Sequence, residues 1–315
     1  MTEYIVKRPS SDEMLELAHI TYESRKSSVL ADDALTLESV TESVAEVCND
    51  NDSVVVVAVN DGEIIGWTHV FAGFPTMMFI GSWYPVIRLS VDPEPVVLGL
   101  IDKTKEVLRE HEHTRLEIEL DRITEATQSY MDTYAEWYKK CGFGLAATEV
   151  HMRSRVAGVE KKTPPDEYGV QYLTDVTNAQ IEGPFFDCFD NGQDELYLSL
   201  TRAQREVSFR YFFDRRRPMV ETASFAIFWK SHVVGFIVVR EDDGVADIGP
   251  VGVVPAHQGK GLGNTLLSYS FRGLYEEGIE WVTLDASFTN KRALNLYEKH
   301  GFQLQFLKAF LFWNK

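Results

Sequence analysis

The sequence has few cysteines, and their placement excludes two classes of stabilising site. Cys48, Cys141 and Cys188 are odd in number, far apart and outside any CxxC pair. Small secreted proteins that depend on disulfides carry an even, closely spaced set, and zinc sites need clustered ligands. We therefore expect neither a disulfide framework nor a metal site.

Long apolar stretches are also missing. The run VVVVAV at Val54–Val59 has the length of a β-strand, whereas a membrane span needs roughly 18 apolar residues. The N-terminal sequence MTEYIVKRPSSDEM lacks the charged-then-apolar order of a secretory signal. We expect a soluble, cytoplasmic protein with no membrane partner.

Positive charge is scarce. The chain has 31 Lys and Arg against 48 Asp and Glu, for a net charge of −17. This balance disfavours nonspecific nucleic-acid binding, and it is explained either by solubility or by attraction of cationic substrates. Up to residue 158 there are 27 acidic and 14 basic residues, and beyond it 21 and 17. The two halves therefore have different surfaces.

One order of patterns occurs twice along the 315 residues. Opening strands are predicted at Glu3–Arg8 and Glu167–Leu173, each followed by helix-prone sequence. Two-strand hairpins follow, turning near Asp61 and Lys230. A strand (RLSVDP or GPVGVVP), a helix and a further strand come next, and both halves close with similar helices, YAEWYKKCGF and ALNLYEKHGF. This repeat predicts two similar α/β domains.

A break between the halves is marked by paired lysines and prolines. Pro164 and Pro165 block helix and discourage strand. We predict a first domain over residues 1–158, a linker over 159–166 and a second domain over 167–315. Each domain is expected to have a mixed, mostly antiparallel sheet flanked by helices.

The stretch VVPAHQGKGLGNTLL predicts an anion site at a helix N-terminus, because glycines there let a phosphate approach exposed N–H groups. A Walker A loop is excluded, since the sequence does not supply GxxxxGK[ST]. A Rossmann loop lacks its third glycine, which is replaced by Asn264 or Leu266. Asp285 nevertheless ends the next strand, so the Rossmann interpretation is weakened and stays open at this point.

Two signatures together resemble the GNAT superfamily of acyl-CoA-dependent N-acetyltransferases. V-x-P-x-x-Q-x-x-G-x-G from Val253 matches motif A of that family. N-x-x-A-x-x-L-Y-x-x-x-G-F from Asn290 matches its second signature, and a strand lies between them. Residues 167–315 are thereby identified as a GNAT-like domain, in a tandem arrangement with a degenerate copy. The resemblance implies acetyl-CoA as acyl donor and no metal.

The resemblance also implies roles for individual residues. Backbone N–H groups of the loop would hold the pyrophosphate: Gln258, Gly259, Lys260, Gly261, Leu262, Gly263 and Asn264. Backbone groups of Val251, Gly252 and Val253 would face the pantetheine arm and the thioester carbonyl. Asn290 is the expected side-chain contact to the pantetheine arm.

Two catalytic residues are expected. In the family a tyrosine at the position of Tyr297 protonates the departing thiolate; packing on the sheet is the alternative role. Asp247 lies eleven residues before Gln258, where several members carry a catalytic glutamate. It is therefore a candidate base for the amine, and its alternative is a solvated strand-end acid beside Asp242 and Asp243.

The expected activity is acetyl or short acyl transfer from acyl-CoA to a primary amine by direct attack in a ternary complex. Acetylation of a protein or peptide N-terminus and a non-catalytic acyl-CoA-binding module are alternatives. The acceptor is expected to bind at GPFFDCFDNGQDELYLSL, through its aromatic or acidic side chains. The alternative is that the aromatics belong to the core and the acids to the surface. Arg210 and the run Arg215–Arg217 would hold an anionic acceptor or the adenosine phosphate, or form a solvated helix end. Acceptor identity and oligomeric state stay open.

The first half departs from the pattern. Aligning Pro93 on Pro255 puts Val96 at Gln258, Leu98 at Lys260 and Ile101 at Gly263; Gly99 is retained, Tyr138 persists and Met131 replaces Asn290. We therefore predict a degenerate domain without a cofactor loop.

Overall fold

The structure is a computed structural model that describes residues 1–31, 34–74, 76–81 and 85–315. The chain divides into unit 1, made of Met1–Ala147 and Lys308–Lys315, and unit 2, made of Thr148–Leu307. The division therefore lies before the predicted position after residue 158, and the last residues of the chain return to the first unit.

The first half of the chain forms seven described strands and four helices. In chain order they are β1 (Glu3–Lys7), α1 (Ser11–Lys26), α2 (Leu37–Asn49), β2 (Ser53–Asn60), β3 (Glu63–Phe71), β4 (Met77–Ile80), β5 (Val86–Ile87), α3 (Pro93–Glu110), β6 (Arg115–Ile123), α4 (Gln128–Lys140) and β7 (Gly144–Arg155).

The second half adds six described strands and five helices. They are β8 (Tyr168–Tyr172), α5 (Asn178–Asp190), α6 (Glu195–Leu198), α7 (Arg202–Phe212), β9 (Phe225–Trp229), β10 (His232–Asp242), β11 (Val245–Val253), α8 (Leu262–Glu276), β12 (Trp281–Ser287), α9 (Lys291–Lys299) and β13 (Gln303–Asn314). Short 3-10 turns lie at Leu173–Asp175, Glu221–Ala223 and Pro255–His257.

Both units show the predicted mixed sheet. In unit 1 the order β1-β2-β3-β4-β6 is antiparallel up to β4, and β4 and β6 are parallel. In unit 2 the order β8-β9-β10-β11-β12 is antiparallel up to β11, and β11 and β12 are parallel. The repeated pairing order confirms that the sequence repeat is a repeat of structure.

Local signals placed several element ends correctly. Asp61 (φ 50°) and Lys230 (φ 55°) adopt left-handed backbone at the predicted hairpin turns. Gly142 (φ 82°) and Gly301 (φ 86°) follow α4 and α9 as left-handed helix-terminating residues. The strand predicted at RLSVDP is wrong: the last two described strands before α3 are β4, which pairs with β6, and the two-residue β5, which pairs with β3 and ends at Ile87. Arg88–Asp92 runs irregularly into the helix.

The predicted linker is packed on unit 2. The Lys162 N–H donates to Ser268 Oγ at 2.9 Å, and Lys161 Nζ lies 5.2 Å from the ring centroid of Tyr269. Both partners belong to α8, so this segment lines the helix that follows the glycine-rich loop. Among the described residues, no helix is long and apolar enough to cross a membrane, and no group of His, Cys, Asp and Glu is placed to hold a metal.

Candidate active site

The glycine-rich loop has the backbone conformation that its glycines permit. Gly259 and Gly261 have φ of 81° and 83°, which other residues rarely adopt. A Cβ added at either position would meet nothing within 4 Å. The space beside both glycines is therefore open to a bound group.

The amides of the loop are available as donors. Gly261 is the N-cap of α8 and supplies no side chain to cap it, so the first N–H groups of the helix lack intrahelical acceptors. Within the described part of the chain, no acceptor pairs with the amides from Gly259 to Asn264. Free amides, the positive end of a 15-residue helix and an open cradle fit a pyrophosphate.

Gly263 has a packing role that the sequence did not show. It lies inside the first turn of α8, and a Cβ there would be 3.0 Å from Leu296 Cδ2 of α9. The missing side chain therefore lets the two helices approach. A substitution at Gly263 would disturb this packing as well as the loop.

The side chain of Gln258 holds a cationic residue, Arg292, beside the loop. Gln258 Nε2 donates to Val253 O at 2.9 Å, and Gln258 Oε1 accepts from Arg292 Nη1 at 2.6 Å. Gln258 thus ties the end of β11 to the first turn of α9. Sequence reasoning missed Arg292, whose only signal was a basic residue two positions after Asn290.

Lys260 and Asn264 are held by residues distant in sequence. Lys260 Nζ donates to the Tyr168 hydroxyl at 2.8 Å. Asn264 Oδ1 accepts from Lys162 Nζ at 3.1 Å and from His300 Nε2 at 2.7 Å. Burial, followed by the charge of Lys162, lowers the pKa of His300 to about 4, so His300 is neutral near pH 7 and donates from Nε2. Lys162 was missed because it lies in the segment taken for a linker.

The strand before the loop separates from its parallel neighbour. β11 pairs with β12 from Val245↔Trp281 to Ile248↔Leu284 and no further, while β12 continues beside β7 to Ser287↔Glu149. Val251, Gly252 and Val253 stay paired with β10. Their other edge is therefore turned to the gap between β11 and β12, where the Val253 carbonyl already accepts from Gln258 Nε2.

The missing side chain of Gly252 lets neighbouring residues pack closely on one face of β11. A Cβ there would be 2.9 Å from Phe236 Cζ and 3.1 Å from Cys188 Sγ of α5. The aromatic segment of α5 thus packs directly on the strand at the gap. Phe185, for which an acceptor wall and a place in the core were the two interpretations, belongs to the core: it is fully buried and its ring centroid lies 6.2 Å from that of Phe236.

Tyr297 is buried in the protonated state. It is 6% exposed, and its ring packs edge to face on Phe302 with centroids 5.9 Å apart. Burial, and after it the nearby negative charge of Asp194, raises the pKa of Tyr297 above its ordinary value. The phenol therefore keeps its proton at neutral pH, as a proton donor must.

Asp194 is the acid of the acceptor segment that lies close to Tyr297. Its Oδ1 accepts from the Tyr197 N–H at 2.9 Å and caps α6. Burial raises the pKa of Asp194 despite this hydrogen bond. Asp190, by contrast, is paired with Arg205 at 2.8 Å and with Arg202 at 3.3 Å. The sequence did not distinguish Asp190 from Asp194 as candidate acids of the acceptor site, whereas their different partners in the fold do.

Asp247 and Asn290 have defined local partners. Asp247 lies exposed on β11, opposite Thr283 of β12, whose hydroxyl donates to Asp247 Oδ1 at 3.2 Å. Asn290 is the N-cap of α9, and its Oδ1 accepts from the Ala293 N–H at 3.1 Å. The asparagine of the second signature thus fixes the start of the helix that carries Tyr297.

The matching part of unit 1 has no loop. α3 begins at Pro93 itself, so the aligned Ile101 lies in the helix, where it is fully buried in the core and does not face a helix N-terminus. A Cβ on Gly99 would be 2.0 Å from the ring of Tyr4, whose hydroxyl donates to Pro95 O at 3.2 Å. The described residues of β4 pair with β6 from Met77 to Ile80, which is the whole length of that strand.

Comparisons with known proteins connect the second half of the chain with one enzyme family. Residues 193–302 match the Acetyltransferase (GNAT) family. The second half of the chain therefore carries a GNAT-family acetyltransferase domain. Two solved structures, one of them of a tandem GNAT protein, share the fold over nearly the whole chain.

The first is a GCN5-related N-acetyltransferase from Sphaerobacter thermophilus, with a TM-score of 0.67 at 15% identity over 99% of this chain and 95% of that one. The second is a tandem GNAT protein from the clavulanic acid biosynthesis pathway, with a TM-score of 0.58 at 14% identity over 100% and 98%. At such identities the likeness shows the fold alone.

Two relatives match by sequence over shorter stretches. One is N-alpha-acetyltransferase MAK3 of Arabidopsis thaliana, 30% identical over 118 residues, which are 35% of this chain and 62% of that protein. The other is mycothiol acetyltransferase of Nocardiopsis dassonvillei, 36% identical over 80 residues, 25% and 24% of the two chains. The chain thus spans less than two thirds of the length of either relative.

Proposed function

We propose that unit 2 transfers an acetyl or short acyl group from acyl-CoA to a primary amine by direct attack in a ternary complex. The observation that carries this proposal is the gap between β11 and β12, which opens at the end of β11 that leads into the glycine-rich loop. Backbone groups of Val251 to Val253 would face the thioester, and the amides from Gly259 to Asn264 would hold the pyrophosphate. The Gln258 N–H, also expected as a donor, is instead bonded to Pro255 O at 3.2 Å.

In this proposal the chain acts by positioning and by two proton transfers. A protonated amine cannot attack until it loses a proton, which Asp247 would accept, through a water if its reach is short. Amides at the gap would stabilise the oxyanion that forms on the carbonyl. Tyr297 would then give its proton to the departing sulfur. No nucleophile of the chain is required.

The test is turnover. Purified protein is incubated with acetyl-CoA and a panel of primary amines and peptides, and release of free thiol is measured. Amine-dependent release supports the proposal. Release with peptides alone would favour acetylation of protein or peptide N-termini, which the similarity to the Arabidopsis N-alpha-acetyltransferase supports. Tight acetyl-CoA binding without release across the panel would favour a non-catalytic regulatory module.

Replacing Asp247 with asparagine is expected to lower kcat/KM by about 10² near neutral pH, because a general base is removed. The loss should shrink at high pH, where the free amine is abundant. The measurement is a pH profile of kcat/KM. Asp243→Asn, in the exposed turn of the same hairpin, is the matched control. A profile of Asp247→Asn equal to that of the wild type would remove Asp247 from the mechanism.

Unit 1 is proposed to bind no acyl-CoA, so that one chain binds one equivalent. Tyr4 fills the space beside Gly99, and α3 begins without a preceding glycine loop. Unit 1 would also repel the phosphates, because its residues hold 26 acidic and 14 basic side chains, or −12 of the net charge of −17. Calorimetric titration with acetyl-CoA should give a stoichiometry near one. Two equivalents per chain would contradict this.

A further inference from the structure

An arginine-lined cavity lies in unit 2, built by residues that follow β8, residues that follow α7 and the end of β10. Its volume is about 470 Å³. Four arginines line it, Arg215, Arg216, Arg217 and Arg240, against the acids Asp214 and Glu221. We call it the arginine cavity. An electropositive wall is unexpected in a chain whose net charge is −17.

The side chains of two of the four arginines, Arg215 and Arg216, are already bonded to other residues of unit 2. Arg215 donates to the carbonyls of Leu173 at 3.2 Å and Val176 at 2.7 Å, and so fixes the turn after β8. Arg216 pairs with Asp214 at 2.8 Å, and 91% of its side chain is exposed. Asp214 is thereby engaged at the rim.

Arg240 and Arg217 keep donors for a ligand. Arg240 is held in place by the carbonyls of Phe212, Arg217 and Pro218 at 2.7 to 2.9 Å, and its Nε has no partner among the described residues. The guanidinium of Arg217 donates one hydrogen bond among the described residues, to Tyr211 O, and stacks on the Tyr211 ring at 3.9 Å from its centroid. Burial, and after it the like charge of Arg217, lowers the pKa of Arg240. Two preorganised guanidinium groups thus lie close together and favour an oxyanion.

The arginine cavity lies along the same strands as the proposed reaction. Arg240 is paired with Asp247 in the antiparallel register of β10 and β11, and residues opposite each other in such a pair point to the same face. Ile237, three residues before Arg240, is opposite Val251 at the gap. At the rise of a strand, about 10 Å therefore separate the gap from Arg240.

We propose that the acceptor is an amine that also carries an oxyanion, a carboxylate or a phosphate, and that Arg217 and Arg240 bind this group. This inference rests on the proposed acyltransferase activity. The amine nitrogen would lie at the gap beside Asp247, and the oxyanion would lie in the arginine cavity. Simple uncharged alkylamines would lack the second anchor.

Anion binding is tested first, independently of turnover. With the loop saturated by CoA, the protein is titrated calorimetrically with succinate and with inorganic phosphate, which separates the two oxyanions. We expect binding of at least one, weakened tenfold or more in Arg217→Gln and restored in part in Arg217→Lys. Arg210→Gln, at the exposed end of α7, should bind as the wild type does. No binding of either probe, or an equal loss in Arg210→Gln, would overturn the proposal.

Acceptor choice is tested with matched amines: γ-aminobutyrate against butylamine, and phosphoethanolamine against ethanolamine. We expect kcat/KM to favour the anionic member of a pair tenfold or more, with the preference lost in Arg217→Gln through a higher KM for the amine. Equal use of both members would overturn the inference and leave the proposed function standing. Probe binding without acetylation of any amine or peptide would instead overturn the proposed function, and with it the acceptor assignment.

Discussion

Tyr297→Phe is expected to lower kcat by roughly 10²–10⁴, with acetyl-CoA affinity nearly unchanged. The substitution removes one hydroxyl from a ring that is packed on Phe302 and 6% exposed, so the fold should tolerate it. Because burial raises the pKa of Tyr297, the wild-type enzyme should keep its protonated acid well into the alkaline range. Steady-state kinetics and calorimetry with acetyl-CoA measure the two effects separately.

The repeat supplies a matched control for this variant. Tyr138 occupies the same place in α4 of unit 1, where it is fully buried, and burial raises its pKa too. Tyr138→Phe makes the same chemical change in the unit without a loop, and kcat should not move. If both variants slow the reaction equally, or if Tyr297→Phe keeps the full rate, Tyr297 is not the proton donor.

Gly261→Val is expected to weaken acetyl-CoA binding by about 100-fold. At φ 83° a β-branched residue is strained, and its side chain would enter the open space beside the loop amides. Loss of one or two hydrogen bonds to a charged phosphate, at about 1.5–3 kcal/mol each, accounts for this magnitude. Calorimetry with acetyl-CoA measures the affinity, and thermal unfolding measures the strain. We prefer this position to Gly263, where valine would also press on Leu296.

Gly278→Val separates strain from ligand contact. Gly278 follows the opposite end of α8, has φ of 75° and would likewise place a Cβ in open space. The two variants should lower Tm to a similar extent, and only Gly261→Val should lose affinity. Affinity that falls equally in both would mean that the helix, and not the loop, determines binding.

Features of the fold that depend on residues close together in the sequence could be predicted from the sequence. Glycines at 259 and 261, the helix-terminating Gly301 and the capping residue Asn290 each fix backbone within a few positions of themselves. The glycine patterns therefore indicated the loop and the end of α9, whereas Asn290 was predicted only as a ligand contact and its capping role came from the structure. The repeat was visible for the same reason, since each half writes the same order of strand and helix signals. These local patterns led to the family, and the match of residues 193–302 bears them out.

Some errors came from local patterns read without their partners. RLSVDP looked like a strand, but the stretches that pair are Met77–Ile80 with β6 and Val86–Ile87 with β3, since the partner strands decide which residues join the sheet. The segment predicted as a linker has no helix or strand, but its contacts were not visible in the sequence: Lys162 bonds to Ser268 and Asn264 of α8. Prolines exclude regular structure; they do not exclude packing.

The sequence by itself determined the repeat, the glycine loop and the identity of Tyr297 as a candidate acid, because each is written in residues a few positions apart. Only the tertiary structure decided where β11 leaves β12, which acid lies beside Tyr297 and which arginines face a cavity. Those choices join Ile248 to Leu284, Asp194 to Tyr297 and Arg217 to Arg240. The partners are 23 or more residues apart, and a spacing that wide carries no periodic signal, because strand pairing and side-chain packing bring them together.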